Sequence, residues 1–117
     1  MRTIRAQDLK TMLSERDDVV LIDVLAEDAF AKEHIAQSHN IPQSREDFAR
    51  QVEDLAGGKD RPVVVYCASK DCQASPAAAR KLAQAGFTDV TDFEGGVAEW
   101  KLAGYDVVRG APVGATS

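Results

Sequence analysis

The sequence predicts an α/β fold in which helices wrap a parallel sheet. Two short runs, Val19 to Ile22 and Pro62 to Tyr66, are rich in β-branched residues and apolar on both faces, as central strands covered on both sides must be. Segments of helical period alternate with these runs. The 117 residues fit one domain of common size. We therefore predict a single domain over 1–108 and a flexible C-terminal tail over 109–117, which has little to bury.

The remaining elements have weaker patterns. Additional strands are predicted at Ile4, at His39 to Ile41 and at Val90 to Phe93. Apolar residues at helical spacing predict helices over Gln7 to Leu13, Glu46 to Leu55, Pro76 to Ala85 and Val97 to Ala103.

The helix at Pro76 has the clearest boundaries. Ser75 precedes it as the predicted N-cap, Pro76 occupies the first helical position, and Gly86 ends it. Such a helix start leaves backbone N–H groups unpaired and directed at whatever precedes the helix.

Charge and hydropathy exclude several classes of function. Lys and Arg number 14 against 19 Asp and Glu, so the net charge is -5, which disfavours a nucleic-acid or anionic-membrane partner. The apolar runs are too short to cross a bilayer, and the N-terminus lacks the apolar stretch of a signal peptide. We expect a soluble, cytoplasmic protein.

Candidate chemistry lies where the two central strands end. Asp23 directly follows the first run and Cys67 the second, so both are expected at the carboxyl edge of the sheet, where ligands bind in such folds. After Cys67, a loop of small and polar residues leads into the Pro76 helix, and its N–H groups can converge on the sulfur as an anion cradle. This predicted binding loop comprises Ala68, Ser69, Lys70, Asp71, Cys72 and Gln73.

A reactive thiolate at Cys67 requires a lowered pKa. A free cysteine titrates near pH ~8.5, and a helix dipole supplies only ~0.3–1 kcal/mol, so the loop N–H groups must contribute most of the shift. We predict a lowered Cys67 pKa with the helix N-terminus as an anion site. The alternative is that Cys67 is a small buried residue at a strand end with no chemical role.

The second cysteine and the two histidines suggest other chemistry. A Cys67–Cys72 bridge would close too small a loop to stabilise the fold, so this pair is expected to act chemically, with an incidental Cys72 as the alternative. Zinc is disfavoured because His34, His39 and the cysteines lack the usual ligand spacing. We predict no metal and no cofactor, and we interpret both histidines as structural.

Three further groups of residues have simpler interpretations. Asp89 and Asp92 are expected to be solvated charges, and Trp100 is expected to pack its helix. The pair Gly95-Gly96 is expected to permit unusual φ or a close backbone approach beside the active edge.

Four ordered pieces of the chain together resemble the single-domain rhodanese family up to about Val108. They are Leu21-Ile22-Asp23-Val24, His34-Ile35 leading to Asn40-Ile41-Pro42, Val64-Val65-Tyr66-Cys67, and Phe93-Glu94-Gly95-Gly96 ending at Trp100. The resemblance implies a three-layer α/β fold with a five-stranded parallel sheet. It also implies that Cys67 carries sulfur as a persulfide, that residues 68–73 form the active-site loop, and that Asp23 and His34 have scaffold roles.

The chain departs from the family pattern within the loop. Arginine commonly occurs five residues after the nucleophile, where this chain has Cys72, and the related phosphatases and arsenate reductases have it where this chain has Gln73. In most members a serine opens the following helix closer to the nucleophile than Ser75 does here, so this loop is longer. We interpret Ser75 as a supporting residue of the site. Without a guanidinium to bind an oxyanion, we predict poor use of thiosulfate and very poor phosphatase activity.

The predicted function is sulfur transfer. Cys67 takes sulfur from thiosulfate or another sulfane donor and passes it to a thiophilic acceptor, either cyanide, a small thiol or a protein thiol. Cys72 is a candidate resolving thiol that would release sulfide and leave a Cys67–Cys72 disulfide. The alternative is a noncatalytic persulfide carrier or redox-sensing module that binds a partner protein.

Overall fold

A five-stranded parallel sheet organises residues 2–111, which a computed structural model describes. In chain order the elements are β1 (Arg2–Thr3), α1 (Ala6–Glu15), β2 (Val20–Asp23), α2 (Glu27–Lys32), β3 (His34–Ile35), β4 (His39–Asn40), α3 (Phe48–Ala56), β5 (Val63–Tyr66), α4 (Ala74–Gln84), β6 (Val90–Phe93), α5 (Gly96–Leu102) and β7 (Val107–Val108). The sheet order is β1-β6-β5-β2-β4, and each neighbouring pair is parallel. The predicted fold class is confirmed.

The central strands are buried on both faces, as their composition predicted. Every residue of β2, β5 and β6 is buried, and side chains alternate between two apolar layers. Val63, Val65 and Cys67 face the layer formed with α3 and α4. Val64 and Tyr66 face the opposite layer, which includes α1 and α5.

Helix α4 begins earlier than its sequence predicted. Ala74 is its first residue and Gln73 its N-cap, so Ser75 is not the cap and Pro76 is not the first helical residue. Proline is tolerated at the third position because its missing N–H would be unpaired anyway in the first turn. The shift turns Ser75 inward, where its residue is fully buried.

Three elements were not among the predicted strands and helices, because a helix of six residues or a strand of two is too short for a clear pattern. They are α2, β3 and β7, and the latter two pair antiparallel as a separate two-stranded sheet. This pairing fastens the chain after α5 against β3. Beyond it, the Gly110 N–H donates to the carbonyl of Ala31 at 3.0 Å.

The predicted C-terminal tail lies mostly outside the described residues. Only its first three positions, 109–111, are described, and residues 112–117 are not. Among residues 2–111 no helix is long and apolar enough to span a membrane.

Candidate active site

Cys67 lies directly after β5, at the floor of the loop over residues 68–73. Its residue is fully buried, and its Sγ lies 3.9 Å from the Ser69 carbonyl oxygen and 3.7 Å from the Cys72 carbonyl oxygen. The Cys72 N–H donates to the same Ser69 carbonyl at 3.1 Å and closes a turn in the loop. The loop therefore wraps the sulfur, but the carbonyl oxygens that contact it are acceptors, whereas the prediction was a cradle of N–H donors.

The pKa of Cys67 reflects this environment. Burial, followed by the Cys72 side chain, raises the pKa of Cys67 to about 11, although the side chain and backbone N–H of Ser75 act to lower it. The predicted lowering of this pKa is wrong for the described conformation, because the sulfur is desolvated and faces carbonyl oxygens. A thiol in this state donates to the carbonyls and is protonated at neutral pH.

Cys72 is partly exposed and sits beside the Cys67 side chain, and both thiols are free. The other loop residues form the outer rim. Ala68, Lys70, Asp71 and Gln73 are exposed, while Ser69 is partly buried.

Ser75 points from the first turn of α4 towards the sheet. Its hydroxyl makes no hydrogen bond in the structure, although it lies close enough to lower the pKa of both Cys67 and Asp92. A buried hydroxyl without a partner is unusual in proteins. Ser75 was predicted to support the site by capping the helix, but it lies within the first turn, buried, with its side chain and backbone N–H near the Cys67 sulfur.

Asp92 is a buried carboxyl that the sequence interpretation assigned to solvent. It is 2% exposed, its Oδ1 has no hydrogen-bond partner, and burial raises its pKa. Register pairs Val65 with Asp92, so Asp92 shares the face of the sheet that carries Val65 and Cys67. Its place inside a predicted strand next to a central strand was the signal that it is buried. Asp89, in contrast, is partly exposed and pairs with Arg2.

Asp23 shares the edge with Cys67 but faces the other layer of the sheet. Its Oδ1 accepts a 2.9 Å hydrogen bond from the Leu25 N–H, its Oδ2 has no partner, and burial raises its pKa to about 6. The neighbouring Tyr66 hydroxyl accepts from the Ile35 N–H at 3.1 Å and lies 2.7 Å from Ser38 Oγ. The strand order brings Asp23 and Cys67 to one edge, as predicted, while the pleat separates their side chains.

The histidines lie away from the cysteines. His34 is buried, stacks on the Phe30 ring at 3.6 Å and places Nδ1 2.8 Å from the Phe30 carbonyl oxygen, which confirms its structural role. His39 is exposed on the edge strand β4. Within residues 2–111 no three His, Cys, Asp or Glu side chains are arranged to hold a metal ion.

Helix α5 forms one wall of the site through a close backbone contact. Gly96 has a φ of +60°, and a Cβ built there would lie 2.1 Å from the Cys67 carbonyl oxygen. The next two N–H groups, of Val97 and Ala98, donate to the carbonyls of Cys67 and Ala68 at 3.0 and 2.9 Å. The predicted close approach at the glycine pair is confirmed for Gly96. Trp100, also on α5, packs against Phe93 and Tyr105 as predicted.

Two open cavities flank the loop. One, of about 800 Å³, is lined by more acidic than basic side chains: Arg5 and Lys70 against Asp8, Asp71, Glu94 and Glu99. The other, of about 540 Å³, lies between α2 and α5, and Leu25, Ala68, Val97 and Leu102 are among its lining residues. The Leu102 side chain separates the two and is 89% exposed.

The family profile described as Rhodanese-like domain matches residues 5–103. The chain belongs to the rhodanese-like family. A solved structure that it resembles, a rhodanese-related protein from Thermoplasma volcanium, is 31% identical, with a TM-score of 0.75 over 92% of this chain and 98% of that chain.

Curated relatives include proteins with different names. The chain is 41% identical over 101 residues to uncharacterized protein YibN of Escherichia coli, covering 86% of this chain and 68% of that protein. It is 37% identical over 100 residues to HTH-type transcriptional regulator Rv0324 of Mycobacterium tuberculosis, covering 86% of this chain but only 42% of the regulator. It is also 29% identical over 90 residues to thiosulfate sulfurtransferase GlpE of Coxiella burnetii, covering 76% of this chain and 78% of that protein.

Proposed function

We propose that this rhodanese-like protein is a sulfurtransferase in which Cys67 carries sulfane sulfur as a persulfide. The observation that carries the proposal is the place of Cys67: it ends a central strand at the carboxyl edge, beneath a loop that wraps its sulfur. The family relationship and the name of the Coxiella relative support it.

The chemistry proceeds in two displacement steps. The Cys67 thiolate attacks the outer sulfur of a sulfane donor, a new S–S bond forms, and the donor's old bond to that sulfur breaks with its electron pair on the leaving group. In the second step, an acceptor nucleophile attacks the outer sulfur of the persulfide. The Cys67–sulfur bond then breaks and returns the thiolate.

The charges near the loop favour uncharged or thiol-based sulfane donors over thiosulfate. The larger cavity carries an excess of acidic side chains, the rim balances Lys70 with Asp71, and neither position that bears arginine in relatives of this fold has one here. Arg5, one of the two basic residues in that cavity, is paired with Glu99 at 3.1 Å. A dianionic donor would meet net repulsion without a guanidinium to bind its oxygens.

Cys72 is proposed as a resolving thiol. Its sulfur attacks the inner sulfur of the Cys67 persulfide, the outer sulfur departs as sulfide, and a Cys67–Cys72 disulfide remains. The position of the Cys72 side chain beside Cys67 supports this step.

Intact-mass analysis after exposure to an organic persulfide or polysulfide tests the assignment. Cys67→Ser should gain no sulfur and show no turnover, whereas Cys72→Ser should gain one sulfur atom and retain it longer than the parent protein. A sulfur adduct that persists in Cys67→Ser and is missing from Cys72→Ser would reverse the roles of the two cysteines.

A second candidate function is a noncatalytic persulfide carrier or redox-sensing module that acts on a partner protein. The buried, protonated state of Cys67 favours it, because such a thiol turns over slowly with small donors. The name of the mycobacterial regulator is consistent with a regulatory setting. Steady-state turnover with cyanide or a small thiol as acceptor separates the two, since a carrier loads once and then stalls.

A further inference from the structure

Two buried polar atoms on the side of the sheet that carries Cys67 have no hydrogen-bond partner. They are Ser75 Oγ and Asp92 Oδ1, and their residues are 0% and 2% exposed. Most buried polar atoms are paired, so an unpaired couple next to a candidate nucleophile requires an explanation. Among the described residues, the third such atom, Asp23 Oδ2, lies on the opposite face of the sheet.

The arrangement places one hydroxyl near two groups that can each accept its hydrogen. Ser75 descends from α4 onto the sheet face shared by Cys67 and Asp92, and it is close enough to influence both. A hydroxyl has a single hydrogen and cannot donate it to a thiolate and a carboxylate at once. Two uncompensated negative charges on one buried face of the sheet would also destabilise each other.

We infer that Cys67 and Asp92 share one proton through the Ser75 hydroxyl, and that Asp92 is thereby a positioning residue that holds Cys67 as a thiol. With Asp92 ionised, Ser75 donates to the carboxylate and turns a lone pair towards the Cys67 S–H. With Asp92 protonated, the carboxyl donates to Ser75, and Ser75 donates to the thiolate. This inference rests on the proposed role of Cys67 and adds Asp92 to its site.

The change between the two states is a proton transfer with no other bond altered. Cys67 gives its proton to Ser75 Oγ while Ser75 gives its own proton to Asp92 Oδ1, and one negative charge moves from the carboxylate to the sulfur. The net charge of the group is the same before and after. A buried site can therefore form the thiolate without acquiring a second uncompensated charge.

Other charged groups bear on the same equilibrium. Glu94, after β6, raises the pKa of Asp92, and Arg80 on α4 lowers it. Cys72 in the loop raises the pKa of Cys67. Because Cys72 also reacts with thiol reagents, the test uses full-length protein carrying Cys72→Ser, in which Cys67 is the only thiol.

The test is the rate of iodoacetamide alkylation of Cys67 as a function of pH. Asp92→Asn should shift the midpoint of this profile down by about one pH unit, which is about tenfold faster alkylation at neutral pH. The neutral amide leaves the hydrogen of Ser75 to the sulfur. Adding Ser75→Ala to Asp92→Asn should remove most of the gain, since no hydroxyl remains to donate.

Thr91→Val is the matched control, because Thr91 is a buried polar residue of the same strand on the opposite side of the pleat. Its profile should follow that of the parent. Asp92→Ser provides a second neutral variant and should shift the midpoint in the same direction.

An unchanged or slower alkylation in both neutral variants would overturn the shared proton. A gain that survives in full without the Ser75 hydroxyl would overturn it as well, because Asp92 would then act directly on the sulfur. Mass analysis after polysulfide treatment of the same Cys72→Ser protein separates this inference from the proposed function. A shifted alkylation profile without sulfur loading would contradict only sulfur transfer, and sulfur loading without the shift would contradict only the shared proton.

Discussion

The two faces of the sheet, compared at the edge where β2 and β5 end, differ in how completely their polar groups are hydrogen-bonded. On the face of Asp23, the Tyr66 hydroxyl is fixed by Ile35 and Ser38, and Asp23 Oδ1 is held by the Leu25 N–H. The Asn40 amide also donates to the carbonyls of Asp23 and Leu25 at 3.1 and 2.8 Å.

The face of Cys67 has weaker and fewer such contacts. Its sulfur has only long contacts to two carbonyl oxygens, and the Ser75 hydroxyl and Asp92 Oδ1 are unpaired. The Asp23 face has one unpaired atom, Asp23 Oδ2, against these two. Hydrogen bonding fixes groups in place, whereas unpaired buried groups remain able to accept or donate during a reaction. We therefore interpret the Asp23 face as the scaffold and the Cys67 face as the one able to react.

The largest expected effect comes from breaking the backbone contact that positions the Cys67 face. Gly96→Ala should destabilise the fold by about 3 kcal/mol, because its Cβ would collide with the Cys67 carbonyl and the residue would keep a positive φ. Gly104→Ala is the control: it also has a positive φ, of +87°, but has no atom within 4 Å of the added Cβ. It should lose only about 1 kcal/mol. Equal losses in urea denaturation would show that the contact at Cys67 is not the cause.

The pH dependence of stability tests the Asp23 face. The folded-state pKa of Asp23, about 6, lies above the ordinary 3.8, so the folded protein binds this proton more tightly than the unfolded chain does. Its contribution to stability is therefore most favourable below pH about 4 and is lost as the pH rises through 6. The free energy of unfolding of Asp23→Asn, relative to that of the parent, should therefore rise by about 2 kcal/mol as the pH increases from 4 to 7. A constant difference between the two proteins over that range, measured by urea denaturation, would argue that Asp23 titrates normally.

The smallest effects come from deleting one hydroxyl on each face, and they sharpen the contrast most directly. Tyr66→Phe leaves the buried Ile35 N–H without its acceptor and should cost about 1–3 kcal/mol. Ser75→Ala removes a hydroxyl that makes no hydrogen bond in the structure and leaves no backbone N–H without an acceptor, so its free energy of unfolding should fall by no more than about 1 kcal/mol, the contribution of the one hydrogen bond inferred with Asp92. Thermal and urea denaturation measure both. A larger loss in Ser75→Ala than in Tyr66→Phe would reverse the assignment of scaffold and reactive face.

The main elements of the fold could be predicted because their patterns are local. The β-branched runs of β2 and β5 predicted two buried central strands, and the spacing of Phe48 and Val52 predicted α3. The start of α4 was misplaced because serine before proline has the pattern of a cap, and only packing against the sheet decides that Ser75 turns inward. The short β3 and β7 depend on each other's pairing, which no local pattern records.

The candidate site was predicted in position but not in electrostatics. Cys67 and Asp23 lie at the carboxyl edge because parallel strands end there together, which strand order alone dictates. Whether loop N–H groups or carbonyls face the sulfur depends on backbone dihedral angles that composition does not determine. Asp92 was missed although it lies inside a predicted strand, and the face that it shares with Cys67 follows from the β5–β6 register, a property of two distant segments.

The contact between α5 and Cys67 has a consequence for how the cysteine loop folds during synthesis of the chain. Gly96, Val97 and Ala98 supply the wall against which the carbonyls of Cys67 and Ala68 rest, yet they are synthesised after α4 and β6. A nascent chain that has emerged only as far as β6 holds its cysteine without that wall. Because the chain emerges from its N-terminus, we expect the cysteine loop to reach its final shape only when α5 docks, and its thiol to be more accessible to oxidants until then.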